Sequence, residues 1–191
     1  MRSRYPVLAG LIGVLVLPGC TPATVALQPS RSMVRNVEVS ATFTEALSTA
    51  VTYDRRLVKA GSHAAVSSRS EGGITTVTLV VRGFEPERRY GAHVHSDSCG
   101  EKGADAGPHF QNVVDPVQPS VDPRFANPQN EIWLDLRTDE TGAGTGETTV
   151  AWQIPPDRRP KSVVIHARPT GPGPGVAGTA GARAACVAVE F

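Results

Sequence analysis

The chain has 191 residues, with 19 Lys and Arg against 18 Asp and Glu and a formal net charge of +1. So even a balance argues against a nucleic-acid partner, which needs a concentrated basic surface. A single globule of about 150 residues buries an ordinary core, and no internal repeat or second boundary breaks the chain.

Residues 1–19 read as a secretory signal. Arg2 and Arg4 give a short positive start, and Tyr5 to Leu17 is an uncharged apolar run too short to span a bilayer comfortably. The run closes on Leu17-Pro18-Gly19-Cys20, which resembles a bacterial lipobox, where the leader is cut before the cysteine and the thiol is lipidated. The plainer alternative is an ordinary secretion signal followed by a chance cysteine. Residues 20–36 are small, polar and Pro-containing, and so are expected to be a lipidated N-terminus and flexible tether. The folded domain is then expected over 37–191, outside the cytoplasm and anchored to the cell membrane by its lipid.

Within that domain the pattern predicts short strands: Val37–Phe43, Ala50–Tyr53, His63–Arg69, Thr75–Val81, Arg89–His95, Ile132–Arg137, Glu147–Ile154, Ser162–Ala167 and Ala184–Phe191. Several alternate with β-branched residues, as in Thr76-Val77-Thr78-Leu79-Val80-Val81. Turn-forming stretches such as Glu71-Gly72-Gly73 and Thr141-Gly142-Ala143-Gly144 lie between them. Residues 44–50 come closest to a helical period but are too few to form a helix. The fold class is therefore all-β, an antiparallel sandwich or flattened barrel. One connection, from about Ser96 to Asn130, is rich in Gly, Pro, Asp and Asn and has no strand pattern. Loops of that length in a compact domain are usually functional or disordered.

The histidines carry the chemistry. There are five, and His93 and His95 stand at i and i+2 on one strand, so both rings point to one face of a sheet. His109 lies in the long connection and His166 ends a later strand. Four imidazoles gathered together suit copper, zinc, iron or nickel rather than magnesium or calcium. The bland alternative is four unrelated polar surface residues. His63 is expected to face solvent with no role, and Trp133 and Trp152 to be core or sandwich-edge residues rather than redox relays. With Cys20 lipidated, Cys99 and Cys186 remain, either as two buried thiols or as a pair able to close a long loop in an oxidising compartment. Such a closure stabilises a fold by about 4 kcal/mol.

Taken in order, Gly91-Ala92-His93-Val94-His95, Cys99, Ala106-Gly107-Pro108-His109-Phe110, Ile165-His166-Ala167 and Gly178-Thr179-Ala180-Gly181-Ala182-Arg183-Ala184-Ala185-Cys186 resemble the copper/zinc superoxide dismutase family. The resemblance covers residues ~60–191 and implies a Greek-key sandwich with long metal-site loops. It implies that His93, His95, His109 and His166 ligate one copper ion, and that Cys99 and Cys186 form a disulfide. It also implies that Arg183 is the cation beside the open copper position, and that His109 is both ligand and proton carrier. An arginine there has a physical rationale of its own, since a planar guanidinium attracts and orients a small anion; a surface arginine of no special role is the alternative.

Two features depart from the family pattern. No histidine occurs from Gln111 to Gly146, so the usual zinc ligands are missing, and the segment between His166 and Arg183 is brief and Gly/Pro-rich. Both resemble the copper-only branch, in which zinc is not bound. Glu131 falls about where the family's zinc-binding aspartate occurs, and is a candidate to accept a hydrogen bond from His109. Asp122 and Asp135 are rivals, and a solvated strand-end charge is the alternative. The expected activity is dismutation of superoxide to oxygen and hydrogen peroxide. The competing expectation is a non-catalytic copper-storage lipoprotein, although such carriers favour Met and Cys ligands and only Met1 and Met33 occur here.

Overall fold

The alternating strands fold into two stacked antiparallel sheets, as a computed structural model of the chain describes for residues 34–191. The expected signal segment, the lipidation site Cys20 and the tether up to residue 33 lie outside the described residues. Among the described residues no helix is long and apolar enough to cross a membrane.

The first sheet runs in the order β1 (Arg35–Thr42), β3 (Val58–Glu71), β4 (Ile74–Phe84), β8 (Gly144–Val150). The second runs β2 (Ala50–Thr52), β10 (Arg183–Ala188), β9 (Ser162–His166), β6 (Ala92–His95). A short ribbon pairs β5 (Arg89–Tyr90) with β7 (Leu136–Arg137). Period-two alternation explains what lies between the sheets. Val66, Val77, Leu79 and Val81 of the first sheet meet Ala92, Val94, Val163, Ile165, Ala185 and Val187 of the second, with Phe43, Phe84 and Tyr90 stacked edge-on at one end.

That inward set fixes the outward one. His93 pairs in register with Val164, Val164 with Cys186, and His166 with Arg183, so these side chains share the other face of the second sheet. An outer sheet face is ordinarily wet, yet every residue of β6 and β9 is buried. The connection 96–130 covers it. This segment contains a single 3-10 turn, Gly103–Ala106, and is tied to β10 by the Cys99–Cys186 disulfide. Ala106, Val51, Val164 and Cys186 form a small second core beneath it.

Three predicted elements change. Arg89–His95 is two strands, broken at Gly91, whose amide turns to the Arg168 carbonyl at 2.7 Å. Ile132–Arg137 keeps its alternation, with Ile132, Leu134 and Leu136 buried, but only Leu136–Arg137 is a strand; the rest lies along β6 through one isolated bridge, His93 to Trp133, and two backbone hydrogen bonds. Glu147–Ile154 is displaced to Gly144–Val150, since Gly144 and Gly146 belong to the strand. A Cβ on Gly146 would stand 2.1 Å from the Leu134 carbonyl oxygen, so glycine is what admits the neighbouring backbone there.

Candidate metal centre

Each histidine reaches the site by a different route. His93 and His95 project from β6, and His166 from the end of β9 beside it. His109 comes from the long connection, whose backbone is laid against β6 by Phe110 N donating to Val94 O at 2.9 Å and by a bridge between His95 and His109. One potential ligand atom from each of the four lies within 4.8 Å of the others. His93 and His95 are wholly buried, His166 nearly so, and the His109 side chain keeps 18% exposure.

The partners of the ring nitrogens decide which atoms are free. His95 Nδ1 donates to Gly107 O at 3.0 Å, His109 Nδ1 to Glu131 Oε2 at 2.8 Å, and His166 Nδ1 to Gly181 O at 3.3 Å. A neutral imidazole has one N–H, so these three rings turn an unprotonated Nε2 inward. His95 Nε2 and His166 Nε2 are 3.4 Å apart. His93 is reversed: its Nε2 meets Thr170 Oγ1 at 2.7 Å, while its Nδ1 is buried without a partner. Four lone pairs thus converge with no proton between them, one of them otherwise orphaned. Such a donor set fits a transition-metal cation.

Electrostatics favours the same state. Burial, then the neighbouring histidines and Arg183, hold His93 well below the ordinary imidazole value. Burial, His109, Arg183 and His166 do the same for His95. Burial is again the largest cause for His166, lowered to about 3. At neutral pH these three rings keep their lone pairs for a metal instead of for a proton.

Of the three candidate carboxylates, the structure brings Glu131 to His109. It is 1% exposed and accepts from three donors: His109 Nδ1, Trp133 Nε1 at 2.6 Å and Gln111 Nε2 at 2.8 Å. Asp122 instead binds Arg124 at the surface, and Asp135 binds Thr170. Arg158 fixes the Gln111 segment from outside, donating to the carbonyls of Gln111 at 2.6 Å and Asn112 at 2.8 Å over the Phe110 ring.

Arg183 stands at the mouth. Its guanidinium donates to Gly103 O and Gly107 O, both at 2.6 Å, so the loop tied down at Cys99 holds it in one orientation. A cavity of about 330 Å³ opens there, lined by Arg183, His109, His166, Glu131, Gly178 and Val121. His63 is remote from the cluster, hydrogen-bonded to Ser40 on the first sheet.

Sequence reasoning misses Trp133, Gln111 and Thr170. Trp133 is half-buried with its ring centroid 5.9 Å from that of His93, and its indole N–H serves Glu131. Its spacing of two from Glu131 is the one available signal, since i and i+2 on an extended segment share a face. Nothing local marks Thr170 within its Gly/Pro-rich loop.

No protein-family model matches the chain, and no curated protein matches it by sequence. Solved structures do. A Cu/Zn superoxide dismutase from Brucella abortus matches at 18% identity with a TM-score of 0.54, over 83% of this chain and 100% of that one. A double mutant of a superoxide dismutase-like protein from Bacillus subtilis, with two histidines introduced, matches at 16% identity and a TM-score of 0.50, over 66% and 88%. At these identities the likeness is one of fold: the chain has the architecture of Cu/Zn superoxide dismutase-like proteins, with a four-histidine cluster able to hold a metal.

Proposed function

We propose that the chain is a copper-dependent superoxide dismutase of the cell envelope, working without zinc and held to the membrane by lipid on Cys20. The observation that carries this reading is the convergence of three Nε2 atoms and one Nδ1, all with lone pairs turned inward, beside a cavity that Arg183 lines. Bound copper supplies the one-electron cycle by which two superoxide ions become oxygen and hydrogen peroxide. His93, His95, His109 and His166 would hold it.

The chain's own residues do the rest. Superoxide is a small anion, and the Arg183 guanidinium attracts it and orients it by hydrogen bonds. Dismutation consumes two protons. His109 keeps its Nδ1–H on Glu131, so Nε2 is the one atom of this ring with a lone pair, and it could carry a proton only while it does not hold the metal. The absence of zinc is supported by the same contact: where a second cation would need the far nitrogen of His109, a buried carboxylate already engages it.

The test separates an enzyme from a copper store. Full-length protein exposed to both ions should take up about one copper and almost no zinc per chain, and the copper form should consume superoxide. Arg183→Ala should lower turnover severalfold at unchanged copper content, with Arg183→Lys recovering part of it. Copper uptake without turnover would mark a carrier; stoichiometric zinc that survives mild chelation would overturn the zinc-free reading. Cys20→Ala should release the protein from membrane fractions, and a wild type already fully soluble would refute the anchor.

A further inference from the structure

His93 differs from the other three histidines in which nitrogen it leaves free, and the cause lies in two residues outside the cluster. His93 Nε2 is 2.7 Å from Thr170 Oγ1, and that hydroxyl is 2.6 Å from Asp135 Oδ1. Asp135 Oδ2 also accepts the Thr170 amide at 2.9 Å, so the carboxylate grips Thr170 at two points. A hydroxyl has one proton to give, and a carboxylate only accepts. Thr170 donates that proton to Asp135; toward His93 it is an acceptor. The imidazole must therefore carry its proton on Nε2, and Nδ1 keeps its lone pair. Nδ1 is the buried ring nitrogen that no protein group meets.

The surrounding backbone is shaped for this contact. A Cβ on Gly91 would stand 2.9 Å from Thr170 Oγ1, 2.8 Å from Arg168 O and 2.6 Å from Ala180 Cβ. Glycine at that position is what lets the Thr170 loop close over β6. Two short backbone bonds hold the approach, Gly91 N to Arg168 O and His166 N to Gly91 O, both 2.7 Å. Asp135 adds a third tie by accepting the Ala92 amide at 3.3 Å. The loop that follows one histidine thus sets the ring state of another.

We infer that Thr170 and Asp135 are a positioning pair that locks His93 in its Nε2–H tautomer and presents Nδ1 to the metal. The inference rests on the copper reading for the identity of the occupant, but not for the tautomer itself. Outer partners of this kind orient a ligand and tune its basicity, and their removal typically weakens metal binding by about 10–100-fold. Thr170→Val keeps the shape of the side chain and removes the acceptor. Thr170→Ser keeps the hydroxyl.

Two readouts on the full-length protein decide it. Two-bond ¹H–¹⁵N correlation spectra of the metal-free form should show His93 protonated on Nε2 in wild type and in Thr170→Ser, with that signature lost in Thr170→Val. Copper affinity, measured by competition with a chelator, should fall about 10–100-fold in Thr170→Val and stay within about threefold of wild type in Thr170→Ser. Asp135→Asn should fall between them, because the hydroxyl survives with a weaker partner. A wild-type His93 protonated on Nδ1 overturns the inference, and so does a Thr170→Val variant that keeps both the tautomer and the affinity. Should Thr170→Val fail to fold, the wild-type and Thr170→Ser spectra still decide. If wild type takes up no copper at all, the copper reading fails, while the tautomer spectra settle the positioning pair independently.

Discussion

Replacing Glu131 by glutamine changes one oxygen for an amide nitrogen in a closed, fully partnered site. The carboxylate is 1% exposed, and its two oxygens accept from His109, Trp133 and Gln111. An amide has one oxygen. Turned toward His109 and Trp133, it places its NH2 against the Gln111 NH2, donor facing donor. Flipping Gln111 to relieve this withdraws the oxygen that accepts the Asp115 amide at 2.8 Å. Either way one buried polar group goes unpaired, at about 1–3 kcal/mol. The loss of charge on the two remaining hydrogen bonds adds about 1 kcal/mol, since ionised acceptors bind roughly twice as strongly as neutral ones. Glu131→Gln should therefore cost about 2–4 kcal/mol in urea unfolding followed by tryptophan fluorescence, with an unchanged m value. Copper affinity should fall about 10–100-fold, because the His109 ring loses the partner that orients it. A variant within about 0.5 kcal/mol of wild type that also binds copper as tightly would refute the claim that this carboxylate organises the site.

Opening the Cys99–Cys186 bridge by paired serine substitutions should lower stability by about 4 kcal/mol and reduce turnover as well, because the loop it ties down holds Arg183; thermal melts alongside superoxide assays check both. Arg158→Ala, which frees the carbonyls of Gln111 and Asn112, should weaken copper binding severalfold with no change in the salt dependence of turnover, whereas a shift in that salt dependence would give Arg158 a steering role. Tyr90 is buried, with its hydroxyl on Leu57 O, and burial raises it to about 12. Its neutral form is favoured in the fold, so its contribution is full below the unfolded value near 10 and is lost as pH rises through 10 to 12; denaturation at pH 9 and 11 should show a drop of about 1 kcal/mol that Tyr90→Phe lacks.

The all-β class is legible because the sequence repeats apolar residues at every second position, and the same period alone puts His93 and His95 on one face. Element ends are less legible. Gly144 and Gly146 look like turn residues, yet they sit inside β8 because the Leu134 backbone presses against Gly146 and the Arg137 backbone against Gly144, a fact of packing with no local trace. The four histidines stand out by rarity and order. Choosing among Glu131, Asp122 and Asp135 needs the fold: nothing local separates the three carboxylates, and only tertiary placement sends one to His109, one to Arg124 and one to Thr170. Thr170 itself is invisible, for a lone threonine in a Gly/Pro-rich loop carries no signal until the loop closes over Gly91. The size of Trp133 points to the core. It lies instead half-buried on the other face, between the inward-pointing Ile132 and Leu134, with its ring beside His93 and its N–H on Glu131.

The central claim is that the histidine cluster is a redox centre and not merely a metal-binding one. Stopped-flow decay of superoxide, measured on one preparation loaded in parallel with copper, with zinc and with neither, tests it most directly. Catalytic decay should scale with bound copper, fall as salt rises, and be absent from the zinc-loaded and metal-free samples. A fully copper-loaded protein with superoxide decay no faster than the metal-free protein would contradict it.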